Sequence, residues 1–200
     1  MKKHIKKQIR TAKYILYKET LVDFKEHFWT FLGAFCGIGI IGFFQSFYFN
    51  STDNMLLIGS FGASAVLVYG VIESPLAQPR NLIGGHVVSA IIGVTFHKLI
   101  PDVLWLSSSF AVSLSIVMMQ VTKTLHPPGG ATALIANIGS QKILALGYFY
   151  VLCPVLLGAT ILLLTAIFFN NRTKDRSYPR NKQWFKVHKR YAQRKQPLRM

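Results

Sequence analysis

His126-Pro127-Pro128-Gly129-Gly130-Ala131-Thr132-Ala133-Leu134-Ile135 lies between two long apolar runs and continues neither of them. Two consecutive prolines remove two backbone donors, and two glycines admit backbone conformations closed to other residues. The small and apolar residues that follow read as a fresh helix from Ala131 to Ile138. A helix that stops and restarts leaves N–H groups aimed at whatever lies beside the break. In water that is an ordinary loop. At membrane depth it becomes a candidate site, so the surroundings decide.

Those surroundings are apolar in the middle and basic at both ends. Residues 1–27 hold eight Lys/Arg against three acids, and residues 170–200 hold eleven against Asp175. The 142 residues between carry Arg80, Lys98, Lys123 and Lys142 against Asp53, Glu73 and Asp102. Lys/Arg flanking apolar spans stay inside, so the chain reads as a multi-pass protein of the cell membrane with both termini cytoplasmic. The tails suit anionic lipid headgroups. Nucleic acid is excluded as a partner, because no folded soluble domain displays the charge. Cys36 and Cys153, in apolar runs without ligand spacing, read as buried thiols. No cleavable signal is evident, since the first apolar run follows a long basic segment.

Three segments follow: 1–27, 28–169 and 170–200. In the first, Ile5, Ile9, Ala12 and Leu16 form one apolar stripe among lysines, the pattern of an interfacial amphipathic helix or, more blandly, of a frayed tail. Phe28–Phe49 is uncharged and long enough for about 33 Å of helix. Its Gly33/Gly37 pair permits close helix packing and would suit a homo-oligomer interface. Ser51–Asn54 reads as a turn on the outer face. Met55–Ile72 is interrupted by Gly59, Gly62 and Gly70, and Pro75 and Pro79 keep the chain irregular as far as Asn81, an expected N-cap. Leu82–Ile100 and Val103–Val121 are full spans. Ala131–Ile138 gives only about 12 Å of helix, too little to cross ~30 Å of hydrocarbon. Ile143–Phe169 is a last span with a kink expected at Pro154.

The two interrupted segments resemble each other. Gly62-Ala63-Ser64-Ala65-Val66-Leu67 aligns with Gly130-Ala131-Thr132-Ala133-Leu134-Ile135 at an offset of 68, and the same offset carries Leu82–Ile100 onto Tyr150–Phe168 and Phe28–Phe49 onto Phe96–Val117. Small and aliphatic residues match easily by chance in membrane sequences, but the matching order of span, broken segment, span favours an internal duplication. The fold class is therefore all-α: a membrane bundle of four full spans plus two broken or re-entrant half-helices, with six crossings and inverted halves as the alternative. Paired broken helices commonly point their N-termini at an anion near the midplane, where dipoles replace lost hydration without adding full charges.

Ser74-Pro75-Leu76-Ala77-Gln78-Pro79-Arg80-Asn81, continued by Leu82-Ile83-Gly84-Gly85-His86, resembles one signature of the HPP family of integral membrane proteins. His126–Ala133 is similar to the motif that names it. The resemblance covers roughly residues 28–169 and implies a bundle usually described as four-spanning. It also implies transport as a candidate role, since cyanobacterial and chloroplast members are associated with nitrite.

His126 is a candidate to contact an ion or carry a proton beside it, or else to bond a backbone carbonyl. Pro127, Pro128, Gly129 and Gly130 shape the break. Thr132 and Ser64, at matching repeat positions, are candidate hydroxyl donors, although back-bonding within their own helices is the commoner fate. Arg80 could draw anions to the cytoplasmic mouth or pair with Glu73. His86, beside two glycines in a span, reads more readily as structural than as ligand. Glu73 fits a headgroup-level helix end better than a proton relay, and His97 with Lys98 reads as an interfacial anchor. No metal or cofactor is expected, and no catalytic constellation appears in the linear order. The resulting expectation is a non-enzymatic transporter or channel for a small inorganic anion, nitrite foremost. The alternative is a membrane module that senses or scaffolds through its tails.

Overall fold

The computed structural model describes residues 24–48, 58–174 and 176–180. The stripe from Ile5 to Leu16, the turn at Ser51–Asn54 and the tail beyond Arg180 lie outside the described residues. Within them the chain is helical: α1 (Phe24–Tyr48), α2 (Gly59–Ala65) continued by a wide π-helical turn (Val66–Gly70), a single 3-10 turn (Pro75–Ala77), α3 (Pro79–Leu99), α4 (Leu104–Val121), α5 (Pro128–Ile138), the short α6 (Gln141–Ala145), a second wide segment (Val151–Leu156) and α7 (Leu157–Phe169). Among the described residues four stretches are long and apolar enough to cross a membrane: Phe24–Phe47, Pro79–Leu99, Leu104–Val121 and Val151–Phe169. Large apolar side chains on their outer faces, among them Phe31, Phe35, Phe43 and Phe47 of α1 and Trp105 of α4, are exposed. A bilayer covers such a surface.

Proline sets several boundaries differently from expectation. α3 opens on Pro79, and α5 opens on Pro128 rather than Ala131. A first-turn N–H has no intrahelical partner, so proline loses nothing there. Asn81 consequently sits inside the first turn of α3 and donates its side-chain amide to the Leu125 carbonyl at 2.7 Å instead of capping. The last span does break at Pro154: Cys153 there is extended (φ −134°, ψ 119°) and separates α7 from the residues before it. Cys36 and Cys153 are free thiols, only partly buried.

Contacts order the segments along the bundle axis. At one end, here the tail end, Arg176 donates to the carbonyls of Glu26 and Tyr69, and Asn170 donates to that of Val68. Arg80 reaches the Thr122 carbonyl at the same end. At the far end Asn137 of α5 meets Ser107 of α4, and the Tyr148 hydroxyl lies 2.9 Å from that of Thr95 near the close of α3. α5 therefore climbs from Gly129, packed against Gly85 and Met119, to Asn137 beside Gly93 and Ser107. α2 runs the opposite way, from Ser60 at mid-depth to Tyr69 and Gly70 at the tail end. Both broken segments thus progress between the ends of the bundle rather than returning to the side they came from.

Directions now alternate: α1, α3 and α5 leave the tail end, while α2, α4 and α7 approach it. Each pair related by the 68-residue offset is antiparallel, so the two halves are inverted. Of the two threadings compatible with the sequence, the one with inverted halves matches these contacts.

Gly33 and Gly37 are spent inside the protomer. A Cβ at Gly37 would collide with the Tyr69 hydroxyl, and one at Gly33 would stand 2.8 Å from the Tyr69 ring. Gly39 and Gly42 meet nothing within 4 Å. Residues 170–174 and 176–180 also belong to the packed structure. Asn170, Arg176 and Tyr178 are buried, with the Tyr178 hydroxyl donating to the Ala77 carbonyl at 2.7 Å.

Candidate functional site

Where α2 and α5 approach α3, five polar side chains meet with no exposure at all: Ser60, Ser64, His86, His126 and Thr132. Ser60 and Ser64 are one helical turn apart and so share a face of α2. His86 projects from α3 between α2 and α5. His126 enters from the Thr122–Pro127 loop, and Gly85 makes room for it, since a Cβ there would lie 2.5 Å from that of His126. Gly129 serves the same closeness, since a Cβ there would lie 2.7 Å from the Ser89 hydroxyl and 2.9 Å from the Met119 sulfur.

The Ser64 hydroxyl lies 2.7 Å from Nε2 of His86, 2.9 Å from Nε2 of His126 and 3.0 Å from the Ser60 carbonyl. Nδ1 of His86 is 2.7 Å from the Thr132 hydroxyl, which lies 2.9 Å from that of Ser60. Nδ1 of His126 is 2.8 Å from the Leu76 carbonyl. The imidazole rings are 4.9 Å apart, with Phe61 edge-on to His86 at 5.4 Å.

These contacts fix the protons once every buried group is required to be satisfied. A carbonyl only accepts, so His126 carries its hydrogen on Nδ1 and its Nε2 must accept. Ser64 has one hydrogen and gives it to that nitrogen. Its lone pair then accepts from His86, which places the His86 hydrogen on Nε2. Nδ1 of His86 then accepts from Thr132. With both rings neutral, the result is a single directed chain: Thr132, His86, Ser64, His126, Leu76 carbonyl.

The expected amide cradle is not there. Pro127 and Pro128 have no N–H, Gly129 donates to the His126 carbonyl at 2.8 Å, and Gly130 donates to that of Pro127 at 3.1 Å. Tight backbone turns consume the donors that a break was expected to leave free. Pro127 is exposed and Gly130 is partly buried. Arg80 is exposed and bonded to Thr122, away from Glu73; Glu73 instead stands 3.8 Å from Arg180 at the surface. Of the residues singled out from sequence, Ser64, His86, His126 and Thr132 converge, Pro128 and Gly129 pack behind them, and Arg80 lies apart.

Ser60, the Leu76 carbonyl and Tyr150 complete the site unanticipated. Only Ser60 carried a signal, its four-residue spacing from Ser64. The Tyr150 hydroxyl donates to the Thr132 carbonyl at 3.1 Å, tying α5 to the last span. Ser64, His126 and the Leu76 carbonyl also have the order of nucleophile, base and orienting acceptor. Ser64 is closed to solvent, however.

A second polar knot closes the tail end. Arg176 donates to Glu26 and Tyr69 carbonyls, to the Thr30 hydroxyl and to Asn170, with the Glu26 carboxylate 3.7 Å away. Burial pulls the Arg176 guanidinium below its ordinary value while Glu26 opposes that shift, and burial pushes the Tyr178 phenol up.

Comparison with known proteins agrees with the architecture. The HPP transmembrane region matches residues 19–179. Two transmembrane proteins of Dictyostelium discoideum are 44% identical over 163 residues and 41% identical over 160, each match covering 78% of this chain. The matches cover 56% and 51% of those proteins, so the chain spans about half the length of these relatives. No solved structure matches. The chain belongs to the HPP family of transmembrane proteins.

Proposed function

We propose that the protein is a transporter or channel for a small inorganic anion, with nitrite the favoured solute. One observation carries this reading. Two broken helices from inverted halves meet at a buried polar cluster within a bundle of apolar spans, the arrangement transporters use for midplane binding. The donors offered to the anion are hydroxyls and imidazole N–H groups rather than backbone amides. No carboxylate bonds to the cluster among the described residues, so a negative solute meets little repulsion there. Reoriented hydroxyls of Ser60, Ser64 and Thr132 replace part of its hydration.

Placement in the cell membrane, with both termini cytoplasmic, belongs to the same proposal. Arg80, Lys123, Arg172, Lys174, Arg176 and Arg180 gather at the tail end, which the positive-inside preference assigns to the cytoplasm. The tails then lie against anionic headgroups.

The test is flux. Purified protein in liposomes should admit nitrite faster than empty liposomes, and joint Ser64→Ala and Thr132→Val substitution should remove most of the excess. No flux above empty liposomes, for nitrite or a panel of small anions, overturns the proposal. A sensor or scaffold acting through the tails is the second reading, favoured by the fastening of Arg176 and Tyr178 to the bundle. It requires deletion of residues 181–200 to abolish function in cells while cluster substitutions leave it in place.

A further inference from the structure

We propose that the His86–Ser64–His126 cluster takes up one proton together with each anion, making transport an electroneutral anion–proton symport. This rests on the transport reading above and adds the coupling to it.

The geometry holds two proton arrangements in one set of heavy-atom positions. In the neutral cluster the Ser64 hydrogen points to Nε2 of His126 at 2.9 Å. When a proton adds to that nitrogen, both imidazoles donate Nε2–H towards the Ser64 oxygen. The Ser64 hydrogen must then find another acceptor, and the Ser60 carbonyl already stands 3.0 Å away. No covalent bond between heavy atoms forms or breaks. One hydroxyl rotates, and the cluster gains one positive charge.

That charge has no anionic partner among the described residues. α2 faces the rings with hydroxyls and Phe61, the 75–77 turn with the Leu76 carbonyl, and α5 with Thr132, while Ser89 of α3 and Met119 of α4 line the adjoining contact at Gly129. Beyond the two imidazoles, Tyr150 is the one titratable group bonded to this set among the described residues, and it is engaged with the Thr132 carbonyl. An isolated buried cation is costly, and an adjacent anion offsets most of that cost. The converse also holds: an anion enters a dry neutral site more readily beside an imidazolium. Each ligand therefore raises the affinity for the other by the same factor.

The experiment uses full-length protein in liposomes loaded with a pH-sensitive dye, given nitrite or nitrate outside, with empty liposomes subtracted for passive entry of nitrous acid. Symport predicts acidification of the lumen matching anion uptake one for one. It also predicts uphill anion accumulation driven by an inward proton gradient alone. Anion uptake should rise on acidification, by up to roughly tenfold per pH unit above the cluster's titration point. In His126→Gln and His86→Gln, protons moved per anion should fall well below one. Anion flux without proton movement in the unsubstituted protein overturns the coupling and leaves the transport reading standing. Absence of anion flux overturns both.

Discussion

Ser64 and Thr132 occupy equivalent positions of the two inverted halves, and they hold the same ring, one on each nitrogen of His86. The pseudosymmetry of the chain is thus centred on a side chain that has no repeat partner of its own. Nδ1 of His86 needs a donor and Nε2 needs an acceptor, and the two halves supply one each.

Losing either hydroxyl should be felt in stability as well as in flux. Thr132→Val keeps shape but leaves Nδ1 of His86 unsatisfied, at a cost of about 1–3 kcal/mol. Thr132→Ser should recover most of it, because the hydroxyl and not the methyl is what the imidazole meets. Thermal unfolding in detergent distinguishes the two variants. Equal melting temperatures for both would count against the proton assignment along the chain.

The motif glycines should separate sharply. A methyl group at Gly129 faces the Ser89 hydroxyl, the Met119 sulfur and the Gly85 carbonyl at 2.7, 2.9 and 3.0 Å, and the last is backbone that cannot swing aside. Gly129→Ala should destabilise the bundle by about 1–3 kcal/mol. At Gly130 the nearest atom is 3.9 Å away, and alanine in a helix is favoured over glycine by roughly 0.5–1 kcal/mol. Gly130→Ala should therefore melt no lower than the unsubstituted protein. Matching losses at both positions would contradict the packing.

The sequence made part of this site legible and hid the rest for physical reasons. Ser64 and Thr132 surfaced through the repeat, and His126 through its place beside two prolines. His86 looked like a structural histidine, because a buried imidazole in mid-helix gives no local sign of what flanks it. The Leu76 carbonyl is a main-chain group, invisible to any search for side chains. The amide cradle failed because the Pro-Pro step that announced a break also removed two of its donors, and the glycines turned theirs back onto the loop. The four long spans followed from length and apolarity, whereas threading of the short ones depends on contacts such as Asn137 with Ser107, thirty residues apart.

Arg176 anchors the tail more firmly than a surface pair would. Its guanidinium donates to two backbone carbonyls, a hydroxyl and an amide oxygen, in a pocket that is buried or partly buried throughout. Arg176→Met should cost about 3 kcal/mol, mostly through acceptors left without donors. Arg176→Lys should recover only a minority, since one ammonium cannot span the planar fork that reaches from Glu26 to Tyr69. Melting temperature and trypsin cutting after Arg172 both report this. Unchanged cleavage in Arg176→Met would mean that the tail is held by Tyr178 instead.

Inverted halves fix which loops share a side of the membrane. Gln141 follows α5 and precedes the last span, and it is exposed at the far end with Asp102. Lys174 is exposed at the tail end. In a protein with Cys36 and Cys153 replaced by serine, single cysteines at 102, 141 and 174 should divide two to one towards an impermeant thiol reagent. Asp102→Cys and Gln141→Cys should react from one side of sealed vesicles, and Lys174→Cys from the other. Re-entrant α2 and α5 would instead put position 102 on the side of 174, because the last span separates 141 from 174 under either threading. The division depends only on whether an eleven-residue helix and the chain after it reach the opposite end. At ~1.5 Å per residue that helix covers about 16 Å. The rest of the distance falls to the Thr122–Pro127 loop, which already carries His126 to the depth of Gly85 before the helix begins.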